Sequence, residues 1–114
     1  MATTMGPGDV VRAIIRARAE GDMDAALALI APQSRDQGQT VSHTDWRQKW
    51  AHLMAAGLEV VTERTVENGE WVANLYRVHG APGSDGAETR GMDMVRVLDG
   101  RLVEHWFFVE PDPA

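Results

Sequence analysis

The stretch Gly91–Pro111, GMDMVRVLDGRLVEHWFFVEP, decides how the chain folds. Asp99-Gly100 is a tight-turn dipeptide between two segments rich in Val, Met and Phe, which is the pattern of a β-hairpin. Its strands are Ala87 to Leu98 and Arg101 to Glu110. Further back, Asn68-Gly69 is a second hairpin signal, with Leu58 to Glu67 before it and Glu70 to Gly80 after it. Val and Thr alternate there with polar residues, as half-exposed strands require. Residues 81–86, APGSDG, read as a loop, and the final PDPA cannot continue a strand.

Upstream of Gly57 the apolar period is helical. Val10, Val11, Ile14 and Ile15 form one stripe behind Asp9, a candidate cap. Gly21 can end that helix in the left-handed conformation, and Asp22 can cap the next, which runs to about Ile30 before Pro32 stops it. Residues 33–41, QSRDQGQTV, are polar and read as a loop, with at most a short strand. Ser42 and Asp45 have the form of a capping box for a third helix carrying Trp46, Trp50, Leu53 and Met54. Helices first and strands after give an α+β class. One domain over residues 1–114 is expected, because two domains in this length would each be too small to bury a core.

Composition narrows the function classes. The formal charge is −6, and the 11 basic residues are scattered without a cluster. Nucleic acid is therefore not an expected partner. No apolar run approaches a membrane span, and the opening MATTMGPGD has neither part of a signal peptide. There is no Cys, so disulfides, thiolate metal sites and a Cys nucleophile are excluded together; a cytoplasmic location is expected. The only Lys is Lys49, no Ser lies in G-x-S-x-G, and no Gly-rich phosphate cradle is present. His43, His52, His79 and His105 lack metal-ligand spacing, so a metal is not expected.

Carboxylates and His remain, which is the equipment of general acid–base chemistry. Asp93 lies mid-strand between Met92 and Met94, where Asp is disfavoured. Facing an apolar interior, its charged form would be penalised. Facing outward, it would be a structural ion-pair residue. The register of the last hairpin sets its partner. A two-residue turn places Asp93 opposite Trp106. A three-residue turn with a Gly bulge places it opposite His105, and gathers Asp93, Val95, Val97, Val103, His105, Phe107 and Val109 on one face. His79 and His105 are the candidate partners, each with a structural hydrogen-bonding role as the alternative. Trp46, Trp50, Trp71 and Trp106 are candidate pocket-lining groups, with core packing as the other reading.

The acidic Asp93, Arg96, the Asp99-Gly100 turn and Glu104-His105-Trp106 resemble the last hairpin of the SnoaL-like polyketide cyclases, in the nuclear transport factor 2-like superfamily. The helical start, with Gly21-Asp22 and Ala25-Ala26-Leu27, is similar too. The resemblance implies a cone-shaped, curved antiparallel sheet that, with three N-terminal helices, encloses an apolar pocket. It implies an Asp acid–base for intramolecular aldol closure, matched by Asp93, with a nearby His matched by His79. The resemblance implies no metal or organic cofactor. It also implies a homodimer paired through the outer sheet face, where Met92, Met94 and Phe108 would lie. Phe107 stands where the family usually has an acid, and the polar segment 33–41 replaces a more apolar strand. The expected activity is cofactor-independent proton transfer on a small apolar carbonyl compound, polyketide-like, of cyclase, isomerase or lyase type. A non-catalytic ligand-binding or dimerisation module is the alternative. A steroid-type isomerase would need a Tyr donor, for which Tyr76 is the only Tyr. An epoxide hydrolase would need an Asp–Arg–Asp set.

Overall fold

A computed structural model describes residues 5–80 and 88–110. Helices α1 (Pro7–Ala19) and α2 (Met23–Ala28) come first, then strands β1 (Ile30–Asp36) and β2 (Gln39–Ser42). Helix α3 (His43–Ala55) leads into β3 (Glu59–Asn68), β4 (Trp71–His79), β5 (Thr89–Leu98) and β6 (Arg101–Val109). The strands form one curved sheet in the order β2-β1-β6-β5-β4-β3. The sheet does not close: β2 and β3 are its edges. All neighbours are antiparallel except β1 on β6, which is parallel. The α+β expectation therefore stands, with three helices packed on one face. The loop 81–86, the tail PDPA and the first four residues lie outside the described residues.

Local chemistry explains the element ends. Gly6, not Asp9, is the N-cap of α1; Asp9 works from inside the first turn, accepting from the Gly6 amide at 3.1 Å. The Glu67 carboxylate of β3 accepts from the Gly8 amide at 3.1 Å, so an anion from the sheet sits where the helix dipole favours one. Asp22 accepts from the Ala25 amide at 3.0 Å and caps α2 as its sequence position implies. Ser42 and Asp45 close a reciprocal capping box on α3. Helix α2 ends at Ala28, earlier than its apolar spacing implies, because Ile30 is taken into β1 and packs there at 1% exposure.

Three expectations about the strands are corrected. Residues 33–41 are not a loop: β1 and β2 pair from Gln33↔Ser42 to Asp36↔Gln39, and β1 docks on β6. A strand whose polar groups are satisfied by the partner strand needs no apolar alternation of its own. The last hairpin follows neither expected register. Leu98 pairs with Arg101 across a two-residue turn, with Asp99 and Gly100 at φ 51° and 77°, as a tight hairpin turn requires. Val97 then pairs with Leu102 and Arg96 with Glu104, leaving Val103 as the bulged residue. Asp93 consequently stands opposite Phe107. Leu102 replaces Val103 on the inner face, while His105 and Phe107 stay on the face of Asp93. In the first hairpin Asn68 pairs with Trp71, so the turn residues are Gly69-Glu70.

The core lies between the helices and the inner sheet face. Val10, Val11 and Ile14 of α1, Leu27 of α2, and Trp46 and Trp50 of α3 pack against Val72, Val95, Val97 and Leu102.

Candidate functional site

Strand β4 alternates strictly, burying Val72, Asn74, Tyr76 and Val78; β5 buries Gly91, Asp93, Val95 and Val97. The register places Asn74 opposite Asp93. Asp93, 6% exposed, therefore meets polar side chains within an otherwise apolar interior. Asn74 Nδ2 donates to Asp93 Oδ1 at 2.8 Å, and Tyr76 Oη donates to Oδ2 at 2.9 Å. Thr65 on β3 donates to Asn74 Oδ1 at 2.7 Å, which fixes the amide so that its nitrogen faces the carboxylate.

His105 sits between two carboxylates. Its Nδ1 is 2.9 Å from Asp36 Oδ1, and its Nε2 is 3.4 Å from Asp93 Oδ2. Asp36 Oδ2 in turn lies 2.6 Å from Lys49 Nζ. The chain Lys49–Asp36–His105–Asp93 thus joins α3, β1, β6 and β5 with charges of alternating sign. Burial by itself would push the His105 imidazolium down, but its contacts with Asp36 and Asp93 outweigh that and hold it above the ordinary histidine range. Burial likewise acts to push Asp36 up, yet hydrogen bonds from His105 and Lys49 keep it below the usual carboxylate range. Burial and the adjacent Asp93 carboxylate drive the Tyr76 hydroxyl far above the ordinary phenol value, so Tyr76 stays a protonated donor at neutral pH.

Aromatic rings frame this polar group. Trp46 lies 5.5 Å from His105 edge-on and 5.5 Å from Trp50, and its Nε1 donates to Ser34 Oγ at 2.8 Å. Phe107 stacks against both Tyr76 and His105, at 6.2 and 6.3 Å between centroids. Gly91 makes room for that ring: a Cβ there would fall 2.9 Å from Phe107 Cζ. Among the described residues no cluster of three or more His, Cys, Asp or Glu is arranged to hold a metal ion, and no helix is long and apolar enough to cross a membrane.

The structure brings Asp93, His105, Trp46 and Trp50 together and sets the other candidates apart. His79, at the end of β4, points with the opposite parity to Tyr76 and pairs with Glu88 at 3.0 Å, with 41% of its side chain exposed. The histidine at Asp93 is His105, not His79. Trp71 and Trp106 stand on the outer face, opposite Arg96 and Met94 respectively, because they alternate with inward Val72 and His105. Asn74, Tyr76, Asp36 and Lys49 are contributors that the sequence reading did not assign to the site. The alternation Val72-Asn74-Tyr76-Val78 was a visible signal for the first two. Two surface clefts, of about 220 and 340 Å³, lie away from Asp93: one along α1 by Asp9 and Arg12, the other on the outer face by Met92 and Phe108.

Solved structures share this fold. IdmH from Streptomyces antibioticus, proposed to be a polyketide cyclase, is 22% identical with a TM-score of 0.77, and 93% of each chain is covered. An NTF2-like protein from Burkholderia thailandensis E264 is 22% identical with a TM-score of 0.77, covering 94% of this chain and 92% of that one. AclR from Streptomyces galilaeus, proposed to be a hydroxylase, is 16% identical with a TM-score of 0.70, covering 91% and 78%. No functionally curated protein matches the chain. The sequence itself matches the SnoaL-like domain over residues 11–105, and the chain therefore belongs to the SnoaL-like domain family.

Proposed function

We propose that the protein is a cofactor-independent acid–base enzyme acting on a small, largely apolar carbonyl compound, of the polyketide cyclase type. The observation that supports this best is the arrangement around Asp93 Oδ2. One buried carboxylate oxygen has beside it a protonated phenol and an imidazole that is itself held by a second carboxylate.

Asp93 takes a proton from the carbon next to a substrate carbonyl. The C–H electron pair moves into the enolate, whose oxygen is met by Tyr76 Oη–H or His105 Nε2–H. Fixed donors in a dry site stabilise such charge more than water does. The enolate carbon then attacks a second carbonyl of the same molecule. The resulting alkoxide takes the proton back from the Asp93 carboxyl, directly or through His105, which gives up its Nε2 proton and regains one from Asp93. Atoms balance as an isomerisation, with one C–C bond formed. Asp36 acts as a positioning residue: by accepting from Nδ1 it keeps Nε2 directed at the reacting oxygen. Trp46 and Trp50 form the apolar wall.

The protein is further taken to act in the cytoplasm, in keeping with its lack of Cys, and as a homodimer. The outer face of β3 to β6 supports the dimer. Val66, Met92, Met94 and Phe108 are 60%, 47%, 42% and 60% exposed there, adjoining Trp106. A contiguous apolar patch of that kind is commonly an association surface. A non-catalytic binding module on this fold is favoured by one observation, the Phe107 ring lying against both proton donors.

Asp93→Asn decides between the readings. It preserves shape while removing the base, so turnover of a diketone or polyketide test substrate should fall about 10²- to 10⁴-fold, with binding kept. If the variant instead melts lower while turnover per folded molecule is unchanged, Asp93 is structural and the acid–base reading is lost.

A further inference from the structure

Arg18 lies in the last turn of α1 and is a cation with no ion-pair partner among the described residues. Its guanidinium carbon stands 4.6 Å over the Trp50 ring. Its Nε–H is buried and has no hydrogen-bond acceptor among the described residues, and no carboxylate there comes within ion-pair range of it. Trp50 adjoins Trp46, which meets His105, and the Asp93 carboxylate acts on the guanidinium, so Arg18 belongs to the same interior as the site. Desolvation is the leading influence on it and weakens its hold on its proton, although an arginine stays charged at any physiological pH.

Charge counting makes the point sharper. Lys49, Asp36, His105 and Asp93 alternate in sign and cancel when His105 is protonated. Arg18 adds a further positive charge, and no carboxylate among the described residues pairs with it directly. Burying the Nε–H with no acceptor costs stability. A group that carries this cost in the free protein gains its partner on binding. The planar guanidinium matches a two-oxygen acceptor better than a single oxygen.

We propose that Arg18 is a recognition residue for a carboxylate on the substrate, so that the site takes an acidic aromatic carbonyl compound rather than a neutral one. This rests on the acid–base reading for the word substrate, but the binding claim stands or falls separately. Stacking of Arg18 on Trp50 places the carboxylate end of the ligand beside α1 and α3, and leaves Asp93, Tyr76 and His105 for the reacting carbonyl.

The test uses 2-naphthoate and its neutral near-isostere 2-naphthamide, followed by calorimetry and by the ¹⁵N resonance of the Arg18 Nε. The acid should bind and move that resonance, with the amide at least about 10-fold weaker. Arg18→Met should weaken naphthoate about 10- to 100-fold, the scale of a lost charge-assisted hydrogen bond. It should leave naphthamide unchanged, and the free variant should melt at the same temperature or higher. Arg18→Lys keeps the charge without the planar fork and should fall between, which also covers poor folding of the Met variant. Equal binding of acid and amide to the wild type, or no binding of naphthoate at millimolar concentration, overturns the proposal. So does an Arg18→Met protein that melts lower yet binds naphthoate normally, since Arg18 would then be a structural stacking group. Failure of the acid–base reading would show differently: Asp93→Asn would still bind naphthoate, and turnover would match the wild type.

Discussion

Each face of β4 to β6 departs in part from an ordinary half-exposed sheet. A polar cluster interrupts the apolar inner face of Val72, Val78, Val95, Val97 and Leu102. An apolar patch interrupts an outer face that also carries Arg77, Arg90, Arg96 and Glu104. The inner face carries Asn74, Tyr76, Asp93 and His105. The outer face carries Ala73, Leu75, Met92, Met94, Trp106 and Phe108. On a stand-alone domain the apolar set would be buried and the polar set would meet water. Here polar groups are withdrawn from water and apolar ones presented to it. Neither choice adds stability to an isolated chain, and each fits one of the proposed occupants: a small polar-headed molecule inside, and a second copy outside.

The outer face gives the largest expected effect. Phe108→Glu together with Met94→Lys places four charges in the interface of a symmetric pair. With about 2 kcal/mol or more lost at a central site, sedimentation equilibrium should show the dissociation constant rising at least about 30-fold. The inner-face hydrogen bonds should survive in the monomer. A wild-type protein that sediments as monomer at micromolar concentration would remove the outer half of the comparison.

The inner face is tested next through His105. Its folded pKa is raised, so its contribution is fully present below the unfolded histidine value, about 6.5. That contribution is lost as pH rises through the folded value. The folded pKa of Asp36 is depressed, so its share is present above about pH 3.9 and is lost as pH falls. The pair contributes most between these limits. His105→Gln should lose roughly 1.5–3 kcal/mol at pH 5 to 6, and less as pH rises. A melting-temperature difference that does not change with pH would mean His105 is neutral in the fold.

The smallest effect concerns a contact that belongs to one face alone. Gly91→Ala puts a methyl 2.9 Å from Phe107 Cζ and 3.2 Å from Val78 Cγ2, an overpacking worth about 1–3 kcal/mol. Ring-current shifts at Tyr76 and His105 should change while the dimer persists. Unchanged shifts would show that Phe107 does not set the packing of the two donors.

Much of this arrangement was readable in the chain, for reasons that can be named. Asp22 and the Ser42–Asp45 box act through neighbours three residues away, so local sequence contains the whole cause. The site was readable only in part. Asp93 is conspicuous because Met flanks it on both sides. Asn74 and Tyr76 share the inward parity of β4, but the resemblance drew attention to His79, whose parity is opposite. Arg18 follows Val11 and Ile14 on the buried stripe, a position where a charge was worth noticing. Two things had no local cause. β1 is a strand because β6 accepts it, and the bulge at Val103 carries no Gly or Pro to announce it.

The parallel pairing of β1 with β6 has a consequence in time. Asp36 and His105 are 69 residues apart along the chain, and nothing between them can close that contact alone. On a ribosome, the helices and the β3–β4 hairpin can form while His105 is still inside the exit tunnel. β1 must then wait unpaired on one edge, and such edges invite the wrong partner. Long-range closure of this kind is also slow. In refolding followed by pulsed hydrogen exchange, the β1 amides that face β6, not those bonded to β2, should become protected together with β6, after those of β3 and β4. Protection of those amides ahead of β6 would overturn this order.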